Sequence, residues 1–152
     1  MLKKNQKVAI YMEGHIYSEY GKMGMGVLRY LENKIVCVID SKYSKTDIND
    51  HYPNLKPVPI VNDLESAIKL KAEVLILGIA PSGGKVPSDW YPVIKMALSK
   101  GLSIINGLHD LLENRFKNLV SKKNQWIWDV RVPNFIPEIA TGKAAKLNNK
   151  RL

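Results

Sequence analysis

Short, almost unbroken aliphatic runs alternate with stretches of helical period along this chain, and that alternation constrains its fold more than any other feature. The runs are Lys7 to Met12, Lys34 to Ile39, Val58 to Val61, Glu73 to Ile79, Leu102 to Ile105 and Gln125 to Val130. Runs apolar throughout, such as IVCVI and EVLILGI, belong to parallel sheets covered on both faces. Between the first two, Gly24, Val27, Leu28 and Leu31 fall at i, i+3, i+4 and i+7, one face of a helix. Between the fourth and fifth, Trp90, Val93, Ile94, Ala97 and Leu98 recur at helical spacing before Gly101 stops the helix. Ser88 is placed to cap that helix. Asn62 and Glu65 have the spacing of a capping box for another, whose buried face is Leu64, Ala67 and Ile68. A further helical stretch is expected from His109 to Val120, broken near Asn114. Ser41 to Pro57, polar and rich in turn residues, reads as an irregular surface excursion. The pattern predicts the α/β class: a Rossmann-like three-layer sandwich around a mostly parallel sheet of about six strands.

With 152 residues and 45% hydrophobic composition, the chain is long enough for one core. Residues 1–132 are expected to form that domain. In 133–152, Pro133 and Pro137 forbid a regular helix and GKAAKLNNKRL has almost no apolar face, so this segment reads as a linker toward a further domain. No run approaches the roughly twenty apolar residues of a membrane span, and the N-terminus lacks the apolar region of a signal peptide; the expected compartment is the cytoplasm. Cys37 is the only cysteine, which excludes a disulfide framework. Its place in IVCVI predicts a buried, inert thiol. His15, His51 and His109 show no metal-ligand spacing, so no metal site is expected. The formal charge of +9 is partly concentrated at the two ends and otherwise scattered, without interleaved aromatics. It favours small anionic ligands over nucleic acid.

In an open parallel sheet, ligands bind outside the carboxyl ends of the strands, where helix N-termini present free N–H groups. After the first strand, MEGHIYSEYGKMGMG lacks the GxGxxG dinucleotide fingerprint; Gly24 and Gly26 are expected to serve close helix–sheet packing. Asp40 ends the second strand, where an acid can accept from a ribose or simply start a turn. The sharpest segment is GIAPSGGKVPSDW: Gly83 and Gly84 can turn backbone N–H groups inward as an anion nest, and Lys85 adds a positive charge. An ordinary glycine turn is the alternative. After the fifth strand, Gly107 precedes His109, a candidate acid/base group, with Asp110 placed to orient it or cap a helix. Asp129 and Arg131, at the sixth strand, are expected to form an ion pair, with carboxylate binding by Arg131 as the alternative.

GMGVLRY at 24–30, VIDSKYS at 38–44, LILGIAPSGGKVPSDW at 75–90, INGLHDLL at 105–112 and WDVRVP at 128–133 together resemble the N-terminal Rossmann-like domain of the D-glutamate N-acetyltransferase-like family, formerly a domain of unknown function. The resemblance implies a second, P-loop domain after this one in the same protein. It implies acetyl transfer from acetyl-CoA to the amino group of D-glutamate for the whole enzyme, not for this part alone. One departure weakens a phosphate role: where the family tends to have a KTA-like tripeptide, Lys22 here is followed by Met23 and Gly24. The layout is also similar, in topology only, to CoA-binding domains of the succinyl-CoA ligase type. The expected cofactor of the full-length protein is therefore acetyl-CoA or a nucleotide, held near Lys22, Asp40, Gly83, Gly84, Lys85 and Gly107, with His109 as the candidate catalytic group. The alternative is a non-catalytic docking or oligomerisation module, and a homo-oligomer is expected.

Overall fold

The computed structural model describes residues 2–132; the expected linker at 133–152 lies outside the described residues. Six strands form one sheet: β1 (Val8–Tyr11), β2 (Ile35–Ile39), β3 (Ile60–Val61), β4 (Val74–Leu77), β5 (Ser103–Asn106) and β6 (Ile127–Asp129). Their order is β3-β2-β1-β4-β5-β6 and every pairing is parallel. This is the Rossmann strand order, whose direction reverses between β1 and β4. Five α-helices connect the strands: α1 (Lys22–Tyr30), α2 (Ile48–His51), α3 (Leu64–Lys69), α4 (Tyr91–Ser99) and α5 (Leu112–Phe116). Right-handed crossovers put α1 and α2 on one face of the sheet and α3, α4 and α5 on the other.

The central strands are buried because both faces are covered. All four residues of β1 and all four of β4 are buried, as the aliphatic runs predict. Tyr11 pairs with Ile39 on one side and Leu77 on the other. Ile94, Ala97 and Leu98 of α4 are fully buried against this surface, while Val27, Leu28 and Leu31 pack on it less completely. Cys37 is fully buried in β2, and burial pushes its thiol up to about 12. Among the described residues, no helix is long and apolar enough to cross a membrane.

Four local expectations need correction. Asp63, rather than Asn62, caps α3: its carboxylate accepts the Ser66 N–H at 2.8 Å, which also holds the Asp63 carboxyl below its usual range. Ser88 makes no cap hydrogen bond, because Ser88–Trp90 is itself a 3-10 turn leading into α4. The helix after the fifth strand shrinks to α5 plus a 3-10 turn at Lys117–Leu119, since residues 107–111 are drawn into tertiary contacts. The excursion at 41–57 is not wholly irregular: it holds a 3-10 turn at Ser41–Tyr43 and the single-turn helix α2.

Candidate functional site

The crevice between β1 and β4 is where a dinucleotide would cross a Rossmann sheet. Here the chain itself fills it. The Gly24 N–H, in the first turn of α1, donates to the Gly78 carbonyl at 2.6 Å, and the Ala80 N–H donates to the Tyr20 carbonyl at 2.9 Å. The fully buried Met12 side chain lies against Gly24, Gly21 and Gly78. A Cβ on Gly24 would stand 2.9 Å from the Gly78 carbonyl oxygen, so the glycine is required for this approach. Of Gly24 and Gly26, both expected to serve close packing, Gly24 alone does so, since nothing lies within 4 Å of a Cβ on Gly26. An amide spent on Gly78 is not free for a phosphate.

Beside this seam the loops after β4 and β5 are knotted together. Gly83 and Gly84 both have positive φ, +78° and +63°. The Gly84 N–H donates to the Pro81 carbonyl at 2.9 Å, and the Gly84 carbonyl accepts from the His109 N–H at 2.7 Å. The nest is therefore half used internally. The His109 ring lies directly over Gly84, where a Cβ would collide with it, yet the residue is exposed. Asp110 neither orients His109 nor caps a helix: its carboxylate accepts the Val86 N–H at 2.6 Å and fastens one loop to the other. Gly107 lies against the Met23 side chain, and its carbonyl accepts from Arg131 Nε at 2.7 Å. Tyr20 and Ser82 hydroxyls meet at 3.2 Å. Lys22, Lys85 and Arg131 are all exposed around these loops.

The ion pair expected between Asp129 and Arg131 is replaced by two separate tasks. Asp129 is buried, and its carboxylate accepts the Leu112 N–H at 3.1 Å, the Glu113 N–H at 3.0 Å and the Asn106 amide at 2.7 Å. It thus caps α5 from the neighbouring strand. Asp40 is fully buried, and Oδ1 accepts the Lys42 N–H at 3.0 Å, starting the 3-10 turn; Oδ2 has no partner among the described residues. The turn-starting role is the one it fills, and no surface of it is open to a ribose.

An open cleft lies elsewhere. It has a volume of about 400 Å³, sits at the carboxyl ends of β1, β2 and β3, and is bounded by α3 and α4. Tyr11 and Ile39 form its floor, Leu64, Val93 and Met96 its apolar wall, and Glu13, Asp63, Glu65 and Asp89 its rim. None of Lys22, Asp40, Gly83, Gly84, Lys85, Gly107 or His109 lines it. Glu13 is fixed by Ser41, whose N–H and hydroxyl both donate to its carboxylate. Tyr11 packs edge-on against Trp90 with ring centroids 4.9 Å apart, and burial first, then the Glu13, Asp89 and Asp40 carboxylates, push its phenol up to about 12. The strand-end rule covers the segments that hold Glu13 and Asp89, but no glycine or lysine pattern marks these acids. Their common sign was the available signal. Among the described residues, no three metal-ligating side chains converge.

Strand order and parallel pairing define a Rossmann-like domain. The chain belongs to the DUF1611_N family, described as a Rossmann-like domain of unknown function, whose model matches residues 41–133. It is similar to a crystal structure of a DUF1611 family protein from Anabaena variabilis ATCC 29413, with 39% identity and a TM-score of 0.82 over 94% of this chain and 42% of that one. It is also 44% identical over 89 residues to a D-glutamate N-acetyltransferase of Pseudoalteromonas sp., across 57% of this chain and 26% of the relative. A second D-glutamate N-acetyltransferase, of Tritonibacter scottomollicae, is 35% identical over 81 residues, across 52% of this chain and 24% of the relative. The chain thus matches about a quarter of the length of these curated relatives.

Proposed function

We propose that this chain is the N-terminal Rossmann-like domain of a D-glutamate N-acetyltransferase-like enzyme, working with a C-terminal P-loop domain of the same protein. The carrying observation is the 44% identity to an enzyme of that name over a quarter of its length. In this reading the rim of Lys22, Lys85 and Arg131, with the Gly83 backbone open to close approach, forms one wall of a site for acetyl-CoA or a nucleotide. The polyphosphate belongs on this side because the open cleft carries four carboxylates and no cation. Acetyl transfer requires the acceptor ammonium to lose a proton before its nitrogen attacks the thioester carbonyl; His109, exposed at the knot, is the group offered for that proton.

The test is acetyl transfer to D-glutamate by the full-length enzyme, read as thiol release from acetyl-CoA. Lys85→Ala is expected to raise KM for acetyl-CoA about tenfold, the loss of one phosphate contact, with little change in kcat. His109→Gln is expected to lower kcat by about a hundredfold or more. Absence of transfer by the wild type ends this reading, and an unchanged KM removes Lys85 from the site.

A second reading, a docking module without chemistry of its own, is favoured by Trp128, Val130 and Val132. They are 36%, 47% and 48% exposed along the outer edge of the sheet, a surface suited to a neighbouring domain or a second copy. It predicts that the domain binds no acetyl-CoA, while its deletion disrupts assembly of the longer protein.

A further inference from the structure

We infer that the cleft between α3 and α4 is a binding site for an organic ammonium ligand, an amine with a hydrocarbon body, separate from the site for anions. The inference goes beyond the acetyltransferase reading and does not depend on it.

Charge sign is the first ground. The protein carries +9 overall, yet this cleft is lined by Glu13, Asp63, Glu65 and Asp89 and by no lysine or arginine. Two of the acids have structural partners that fix their oxygens at the rim: Glu13 through Ser41, and Asp63 through the Ser66 N–H. Glu65 and Asp89 are exposed and have no hydrogen-bond partner among the described residues. An acid in the first turn of a helix is favoured by the helix dipole, which accounts for Asp63, Glu65 and Asp89 one at a time. It does not account for their lying around one cleft with Glu13, which comes from a different strand end.

The second ground is independent of the acids. Tyr11 is 9% exposed, and its ring forms part of the cleft floor. Its hydroxyl has no protein partner among the described residues, although the Tyr52 and Tyr20 hydroxyls both have one. A buried phenol normally finds an acceptor or donor. The hydroxyl is the part of this nine-tenths buried side chain left open, and it opens on the cleft, where a ligand group can replace water as its partner.

The distribution of groups sets the ligand class. Because the carboxylates do not converge on one point, a single metal ion cannot satisfy them. An apolar wall of Leu64, Val93 and the partly exposed Met96 suits methylene groups, and a spread acidic rim suits one or two ammonium ends. The edge of the Tyr11 ring and its hydroxyl provide a floor for the same body. Polyphosphates and dicarboxylates are repelled.

Titration of the 152-residue protein with 1,5-diaminopentane, followed by amide chemical shifts, tests the site. The expected result is saturable shifts confined to β1, α3 and α4, absent with 1,5-pentanediol, glutarate and magnesium chloride. Asp89→Asn, a surface change that leaves the fold intact, should weaken the diamine by about fivefold, the upper range for an exposed ion pair. Tyr11→Phe should weaken it as well while leaving the melting temperature almost unchanged. The inference is overturned if the diol or magnesium produces the same shifts, if the diamine shifts spread over the whole surface, or if Asp89→Asn binds as the wild type does.

Discussion

Asp129→Ala should be among the most damaging single changes outside the hydrophobic core. The side chain receives three hydrogen bonds, from the Leu112 and Glu113 amides and from Asn106, and it is 4% exposed. Hydrogen bonds to a charged group contribute about 1.5 to 3 kcal/mol each, and a buried donor left without a partner costs about 1 to 3 kcal/mol. Glu113 is exposed, so water can replace one of the lost acceptors. The net cost is then about 3 to 4 kcal/mol, a quarter or more of the stability of an ordinary domain. For a domain of this size that is a fall in Tm of about 8 to 14 °C. Asp129→Asn can keep its oxygen for the Leu112 N–H and the Asn106 amide but sets its own amide against the Glu113 N–H, so it should cost about half as much. Thermal unfolding followed by circular dichroism gives the shift, and hydrogen exchange at Leu112 and Glu113 should accelerate in both variants. A fall in Tm below about 3 °C for the alanine variant would refute the reasoning that one carboxylate joins β6, α5 and the His109 loop.

Gly24→Ala sets helix propensity against contact. Alanine in place of glycine favours a helix by about 1 kcal/mol, whereas overpacking against the Gly78 carbonyl and Met12 costs about 1 to 3 kcal/mol. The contact should win, and a Tm equal to or above that of the wild type would show that α1 is not pinned to β4. Cys37 should resist a disulfide-exchange reagent at pH 8 in the folded protein and react as one thiol after denaturant is added. Its raised thiol, like the raised Tyr11 phenol, contributes stability that is fully present below the unfolded values of 9.0 and 10.0 and is lost as pH rises toward about 12. Unfolding free energy that stays flat between pH 9 and 11 would contradict the burial of both groups.

Much of the fold was legible because burial writes itself into periodicity. IVCVI and VLIL can lie only in strands covered on both sides, and six such runs separated by helical patterns leave few topologies. Helix boundaries were less legible where distant partners decide them. The cap of α5 is Asp129, seventeen residues beyond Leu112, and no local pattern announces it. Asp110 likewise looked like a partner for His109 and is instead bonded to Val86, twenty-four residues back. The loops after β4 and β5 meet because parallel adjacent strands bring their ends together. The acidic cleft is not legible in the sequence, because its rim is gathered from three separate segments whose acids each have an ordinary local explanation.

The seam of Met12, Gly24 and Gly78 has a thermodynamic consequence. A ligand stabilises a folded domain by mass action only in proportion to its affinity for that state. Because side chain and backbone already occupy the crossing between β1 and β4, the architecture at that point is complete before any ligand arrives. Nicotinamide dinucleotides should therefore leave the melting temperature where it is. A frame freed in this way from dependence on a dinucleotide can commit the rest of its upper edge to other molecules.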